Sequence, residues 1–99
     1  MIVIAGHYRF PPEHLPAIEP AMATMIAASR AEPGCVHYAF SHDVIEPGLI
    51  RVSECWVDQA AFDAHAASAH MAQWRAAGAV HGIHDRTITA YEATAARPL

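Results

Sequence analysis

Between Glu54 and His70 the chain sets out a carboxylate, an indole, a phenyl ring and two imidazoles: Glu54, Trp56, Phe62, His65 and His70. Carboxylates and imidazoles hold or move protons near neutral pH. An indole offers a flat apolar wall to an aromatic ligand. The period of two in the preceding strand puts Glu54 and Trp56 on the same face. Asp58 is suited to N-cap one helix and Ser68 to cap a second. His65 then falls two turns into the first helix and His70 at the start of the second. A helix N-terminus disfavours imidazolium, so His70 reads as a neutral base or a hydrogen-bond donor to a phenol. Glu54 either orients one of the imidazoles or stays ionised against Arg75. Tyr38 from an earlier strand and Trp74 from the second helix are the remaining candidates for a ring-binding wall.

These residues need a sheet and a helical cover to bring them together. Ile2 to Phe10 reads as a first strand, closed by Pro11-Pro12. From Glu13 to Ala31, Leu15, Ile18, Met22, Met25, Ile26 and Ser29 step by three and four, as on the buried stripe of an amphipathic helix. Pro16 fits its first turn, and Pro20 predicts a kink or a late start. Glu32-Pro33-Gly34 is a stop signal and Glu46-Pro47-Gly48 a second turn; both read as turn chemistry only. Cys35 to Asp43 reads as a strand with Val36, Tyr38 and Phe40 on one face, Tyr38 lying across from Val52. Leu49 to Val57 reads as the next strand, with Ile50, Val52, Glu54 and Trp56 on one face. The short connection between them implies an antiparallel hairpin. Gly78 and Gly82 are expected to end the helical region, and Ile83 to Thr94 forms a last strand before a tail. The order β-α-β-β-α-α-β is an α+β, ferredoxin-like split motif with a broken second helix. It is expected as a single domain over 1–99, ordered from about residue 2 to 94.

Composition removes several classes of function. With 99 residues and a net charge of -4, and with no basic run, the chain is not expected to bind nucleic acid. All six basic residues are Arg; without Lys there is no Schiff-base nucleophile and no anchor for pyridoxal phosphate. There is no Asn either, so polar contacts to a ligand must come from His, Arg, Gln, hydroxyls or backbone. No glycine-rich phosphate loop is present, and no cofactor is expected. No apolar run approaches ~18 residues, so no membrane span is expected, and a cytoplasmic location is the default. Hydrophobic residues make up 54% and charged residues 16%, which hints at a buried subunit interface. His65 and His70 are five apart rather than at the i, i+4 spacing of a helical zinc pair, and no acidic residue stands at ligand spacing nearby, so no metal is expected. Cys35 and Cys55 read as free apolar fillers, facing each other if residue 36 pairs with 54.

Three runs taken together carry a resemblance: Ser29-Arg30-Ala31-Glu32-Pro33-Gly34-Cys35 with Tyr38; Glu54-x-Trp56-x-Asp58; and Phe62-x-x-His65-x-x-Ser68-x-His70. In these, and in its element order, the chain resembles the antibiotic biosynthesis monooxygenases, small dimeric α/β-barrel proteins. The resemblance implies a homodimer packed through the sheet face and a pocket in each subunit between sheet and helices. Members of that family include cofactor-independent oxygenases of phenolic polycycles and quinols, haem-degrading enzymes, and enzymes that act without oxygen. The haem-degrading and anthrone-type members use an Asn, which this chain lacks, and His65 stands where the haem-degrading members have a Trp. Quinol-oxidising members carry the Glu-x-Trp and both histidines.

The resulting expectation is a cofactor-independent monooxygenase that takes dioxygen and a phenolic or quinol-type aromatic substrate. His65, His70 and Glu54 would be its catalytic groups, and Trp56, Tyr38, Phe62 and Trp74 its substrate walls. Two alternatives stay open: an isomerase or lyase on a small carbonyl compound, in which the histidines shuttle protons, and a non-catalytic ligand-binding dimer. A cavity of ~300 Å³ or more reaching Trp56 and His70 is expected for a ligand site.

Overall fold

A computed structural model describes residues 1–99. Four strands, β1 (Ile2–Arg9), β2 (Cys35–His42), β3 (Leu49–Trp56) and β4 (His84–Glu92), form one antiparallel sheet in the order β2-β3-β1-β4. Three helices, α1 (Leu15–Arg30), α2 (Gln59–Ala66) and α3 (Ala69–Val80), cover one face. This is the α+β ferredoxin-like order β-α-β-β-α-α-β expected from the sequence. No helix is long and apolar enough to cross a membrane.

Alternation builds the core as strand chemistry requires. Ile2, Ile4 and Tyr8 of β1 and Ile50, Val52, Glu54 and Trp56 of β3 are buried towards the helices, with Phe10 beyond the end of β1. Ile18, Met22, Met25 and Ser29 are the buried stripe of α1. The caps follow from side-chain chemistry: Asp58 accepts from the Ala61 amide at 2.8 Å and Ser68 accepts from the Met71 amide at 3.2 Å.

Four local expectations are corrected. α1 runs unbroken through Pro20; Pro20 and Pro16 are both exposed, so water can satisfy the Pro16 carbonyl that a proline four residues later leaves unpaired. Val36 leaves the inner face and is exposed, because the β2–β3 register shifts between Cys35 and His37 and makes residue 36 the extra one. The same shift pairs Tyr38 with Glu54 and Phe40 with Val52, and sets Cys35 against Trp56 and Cys55 against His37; the two cysteines do not meet and are free. Gly78 does not end α3. It lies within the helix, where a Cβ would come to 3.3 Å from Ile83, and its missing side chain lets Ile83 pack against it.

Candidate functional site

A cavity of about 400 Å³ lies between the helices and the inner face of the sheet. Its wall is mostly apolar and aromatic: Tyr8, Tyr38, Phe40, Phe62 and Trp74 all border it, together with Ile88 and Ala90 of β4. Glu54 and His65 are among its few polar groups, and the exposed Arg75 and Arg86 complete its lining.

The geometry around His65 arises from local sequence. Ser68 both closes α2 and opens α3: its hydroxyl donates to the His65 carbonyl at 2.7 Å and accepts from the Met71 amide. The chain turns there, so that His65 in the last turn of α2 and His70 in the first turn of α3 lie with ring centres 5.8 Å apart. His65 is buried. Its Nδ1 is 2.6 Å from Glu32 Oε2 and its Nε2 is 3.9 Å from Glu54 Oε1. The imidazole therefore stands between two carboxyl groups. A carboxylate can only accept, so Nδ1 carries the hydrogen shared with Glu32 and Nε2 faces Glu54.

Trp56 takes a different place from the one expected of it. It is wholly buried and does not border the cavity. It lies against His65, ring centres 4.5 Å apart, and its indole N–H donates to Glu54 Oε1 at 3.0 Å. The indole thus fixes both the imidazole and the carboxyl from behind. Burial raises the Glu54 carboxyl above the usual carboxylate range, against the indole hydrogen bond and the nearby His65, which lower it. Arg75 does not pair with Glu54; its guanidinium donates to the Ala66 carbonyl at 3.4 Å.

His70 is separated from the main cavity as well. It borders a second one, of about 360 Å³, with Pro20, Thr24, Met25 and Gln73. Its Nε2 is 3.2 Å from Glu32 Oε2, but the angles are not those of a hydrogen bond, and the atom is buried without another partner. The structure brings Glu54, Tyr38, Phe62, His65 and Trp74 to the main cavity, and sets Trp56 and His70 behind or beside it. The cavity exceeds the volume expected of a ligand site without touching either of those two residues.

Two further residues enter the site. Glu32, read as turn chemistry, contacts both histidines. Its turn is held by the Cys35 amide on the Glu32 carbonyl at 3.2 Å and the Val57 amide on the Gly34 carbonyl at 2.9 Å. Gly34 has φ +82, and a Cβ there would be 2.7 Å from the Ala61 Cβ, so glycine allows the turn to rest directly on α2. The signal was in the topology: a β2–β3 hairpin sets the start of β2 beside the end of β3, and so beside α2. Tyr8 is the second. It borders the cavity, and its buried hydroxyl has no hydrogen-bond partner. Burial first, and then neighbouring Tyr38 and Glu54, raise its pKa far above the ordinary phenol value, as burial and Glu54 do for Tyr38. Both phenols are therefore neutral at physiological pH. Strand parity with Ile4 pointed Tyr8 inward.

The comparisons with known proteins agree with this architecture. The sequence profile of the antibiotic biosynthesis monooxygenases matches residues 1–77. A provisionally assigned antibiotic biosynthesis monooxygenase from Deinococcus radiodurans superimposes with a TM-score of 0.92 at 29% identity, over 100% of this chain and 98% of that one. A provisionally assigned counterpart from Nitrosomonas europaea shares the fold at a TM-score of 0.84 and 20% identity, over 96% of this chain and 100% of the other. An uncharacterized protein of Synechocystis is 36% identical over 64 residues, 65% of this chain and 44% of its own length, so the match spans less than half of that relative. With the profile match covering most of the residues that build the sheet and the site, the chain belongs to the antibiotic biosynthesis monooxygenase family.

Proposed function

We propose that the protein is a cofactor-independent monooxygenase of a phenolic or quinol-type aromatic small molecule, working as a homodimer packed through the sheet face. One observation carries the reading: an aromatic-walled cavity of about 400 Å³ at which His65 is backed on Nδ1 by Glu32 and has Nε2 on the side of Glu54. In this reading the substrate ring lies among Tyr38, Phe62 and Trp74. Its hydroxyl gives a proton towards Nε2 of His65, and Glu32 stabilises the imidazolium that forms, as a carboxylate behind a histidine does in other sites. The phenolate passes one electron to dioxygen. The radical pair recombines into a C–O bond, and loss of water from the hydroperoxide leaves a hydroxyquinone. One quinol and one dioxygen give one hydroxyquinone and one water, so no outside reductant enters. The protein contributes orientation, a base and exclusion of bulk water.

The dimer is favoured by β4, whose side chains are exposed on both faces of the sheet along nearly all its length, with Tyr91 55% exposed. Light scattering should give twice the chain mass. The oxygen chemistry is tested by oxygen uptake over a panel of hydroquinones, with His65→Ala as the control for the base. Uptake no faster than buffer autoxidation, unchanged in that variant, would contradict the proposal.

A proton-shuttle reading is favoured by the Tyr8 hydroxyl, a neutral buried donor without a partner at the same cavity as His65. Tyr8 would steady a carbonyl oxygen while His65 moves the neighbouring proton. Turnover under strict anaerobiosis separates it from the first reading.

A further inference from the structure

We propose that Glu32, His65 and His70 bind one divalent transition-metal ion of the zinc type. One nitrogen of each histidine and one Glu32 oxygen lie within 4.8 Å of one another. They come from three different segments: the turn after α1, the last turn of α2 and the first turn of α3. That is why sequence spacing gave no metal signature. Two imidazoles and one carboxylate, with no thiolate, are a donor set suited to zinc, cobalt, nickel or ferrous iron, leaving a coordination position for water or ligand.

Three observations point the same way. His70 Nε2 is buried and makes no hydrogen bond, although it is 3.2 Å from Glu32 Oε2. A metal ion would satisfy it. The far nitrogen of His65 faces Glu54 at 3.9 Å, and Glu54 is itself held by the Trp56 indole at 3.0 Å. A carboxylate behind a metal-bound histidine orients the ring and raises its basicity, and here that supporting group is already placed. The second cavity, bordered by His70, adjoins one of the three donors.

The donors would have to close from within 4.8 Å of one another onto one ion. Bonds of ~2.0–2.1 Å at tetrahedral angles set ligand atoms ~3.3 Å apart. Glu32 Oε2 is 3.2 Å from His70 Nε2 already, and 2.6 Å from His65 Nδ1 because a proton now bridges them. Binding would release that proton and draw the Glu32 carboxylate and the two imidazoles to a common ion. The ion would occupy the His65 Nδ1 and Glu32 oxygen that back the base in the oxygen chemistry, so the loaded form would not carry out that chemistry, and the test reads binding rather than turnover.

The test is titration of metal-stripped full chain with zinc chloride by calorimetry and with cobalt chloride by visible absorption. One equivalent should bind, with cobalt giving the intense absorption of a four-coordinate site. His70→Ala and Glu32→Gln should each weaken binding at least 100-fold, and Glu54→Gln about 10-fold. His42→Ala and His84→Ala, at exposed histidines, should leave it unchanged. Circular dichroism confirms that each variant is folded. In the wild type, cobalt should broaden the ring resonances of His65 and His70 first, a readout that needs no variant. Absence of binding, binding that survives both His70→Ala and Glu32→Gln in folded protein, or broadening confined to the other histidines would overturn the proposal.

Discussion

The chain carries the tripeptide Glu-Pro-Gly twice, and the two copies do the same backbone work. In each, the glycine has a left-handed φ, +82 at Gly34 and +84 at Gly48. In each, an amide three residues on donates to the glutamate carbonyl at 3.2 Å, and the glycine carbonyl accepts at 2.9 Å from a neighbouring segment. The side chains part company. Glu46 is 52% exposed and 3.4 Å from Arg9 on the surface. Glu32 is 16% exposed and contacts His65 and His70. A turn motif alone therefore does not say whether its carboxylate is solvated or functional; the elements packed against the turn decide it. Gly48 rests on the Phe10 carbonyl, whereas Gly34 rests on α2, which carries His65.

The largest stability effects should come from the two glycines. Gly48→Ala should cost more than ~2 kcal/mol, because the left-handed backbone alone costs ~1–2 kcal/mol and the added Cβ would clash with the Phe10 backbone oxygen. Gly34→Ala should cost somewhat less, since the Cβ meets the side chains of Ala61 and Val57, but it should disturb α2 and hence His65. Urea unfolding reads the first quantity, and ligand binding per folded molecule reads the second. If Gly34→Ala left the cavity's affinity intact while Gly48→Ala lowered it, the contrast between the turns would be reversed.

Next come the glutamates. Glu32→Ala strips the buried His65 of a charge-assisted hydrogen bond, worth ~1.5–3 kcal/mol. Glu46→Ala removes an exposed ion pair and should change stability by under ~0.5 kcal/mol. Equal midpoints in urea for the two variants would count against the distinction.

Glu54 gives a smaller effect with a definite sign. Burial sets its folded value above its unfolded one. As pH rises, the unfolded carboxyl ionises first, so the folded state is penalised increasingly until pH passes the raised folded value. Below the unfolded value the penalty is absent. Glu54→Gln keeps an acceptor for the Trp56 indole and cannot ionise. Its melting temperature relative to wild type should therefore climb by a few degrees from about pH 4 towards neutrality. A difference that stays flat, or falls with pH, would show that the carboxylate is not penalised by burial. His70→Ala should change stability by under ~1 kcal/mol, because its Nε2 makes no hydrogen bond to lose.

Much of the fold was legible because parity and caps are local. Ile50, Val52, Glu54 and Trp56 had to share a face, and Asp58 and Ser68 had to open helices once apolar periodicity followed them. The misplacements have longer-range causes. Val36 was lost to a register shift that only pairing with β3 creates. Gly78 resembled a helix stop until Ile83 packed on it. At the site, residue types identified Glu54 and His65, but not which atoms they face. Trp56 was read as a wall because an indole beside a strand end can serve either as wall or as support. Glu32 was hidden because its turn chemistry was already a sufficient local explanation. Tyr8 needed only the parity already applied to β3.

The central claim is that Glu32, through His65, serves the chemistry of the main cavity while its twin Glu46 does not. The most direct test is the initial rate of oxygen uptake with a hydroquinone substrate for wild type, Glu32→Gln and Glu46→Gln, each corrected for autoxidation. The account predicts equal rates for wild type and Glu46→Gln and a loss of roughly 100-fold in Glu32→Gln, the lower range for disabling a general base. Equal rates in the two variants, or no uptake by the wild type, would contradict it.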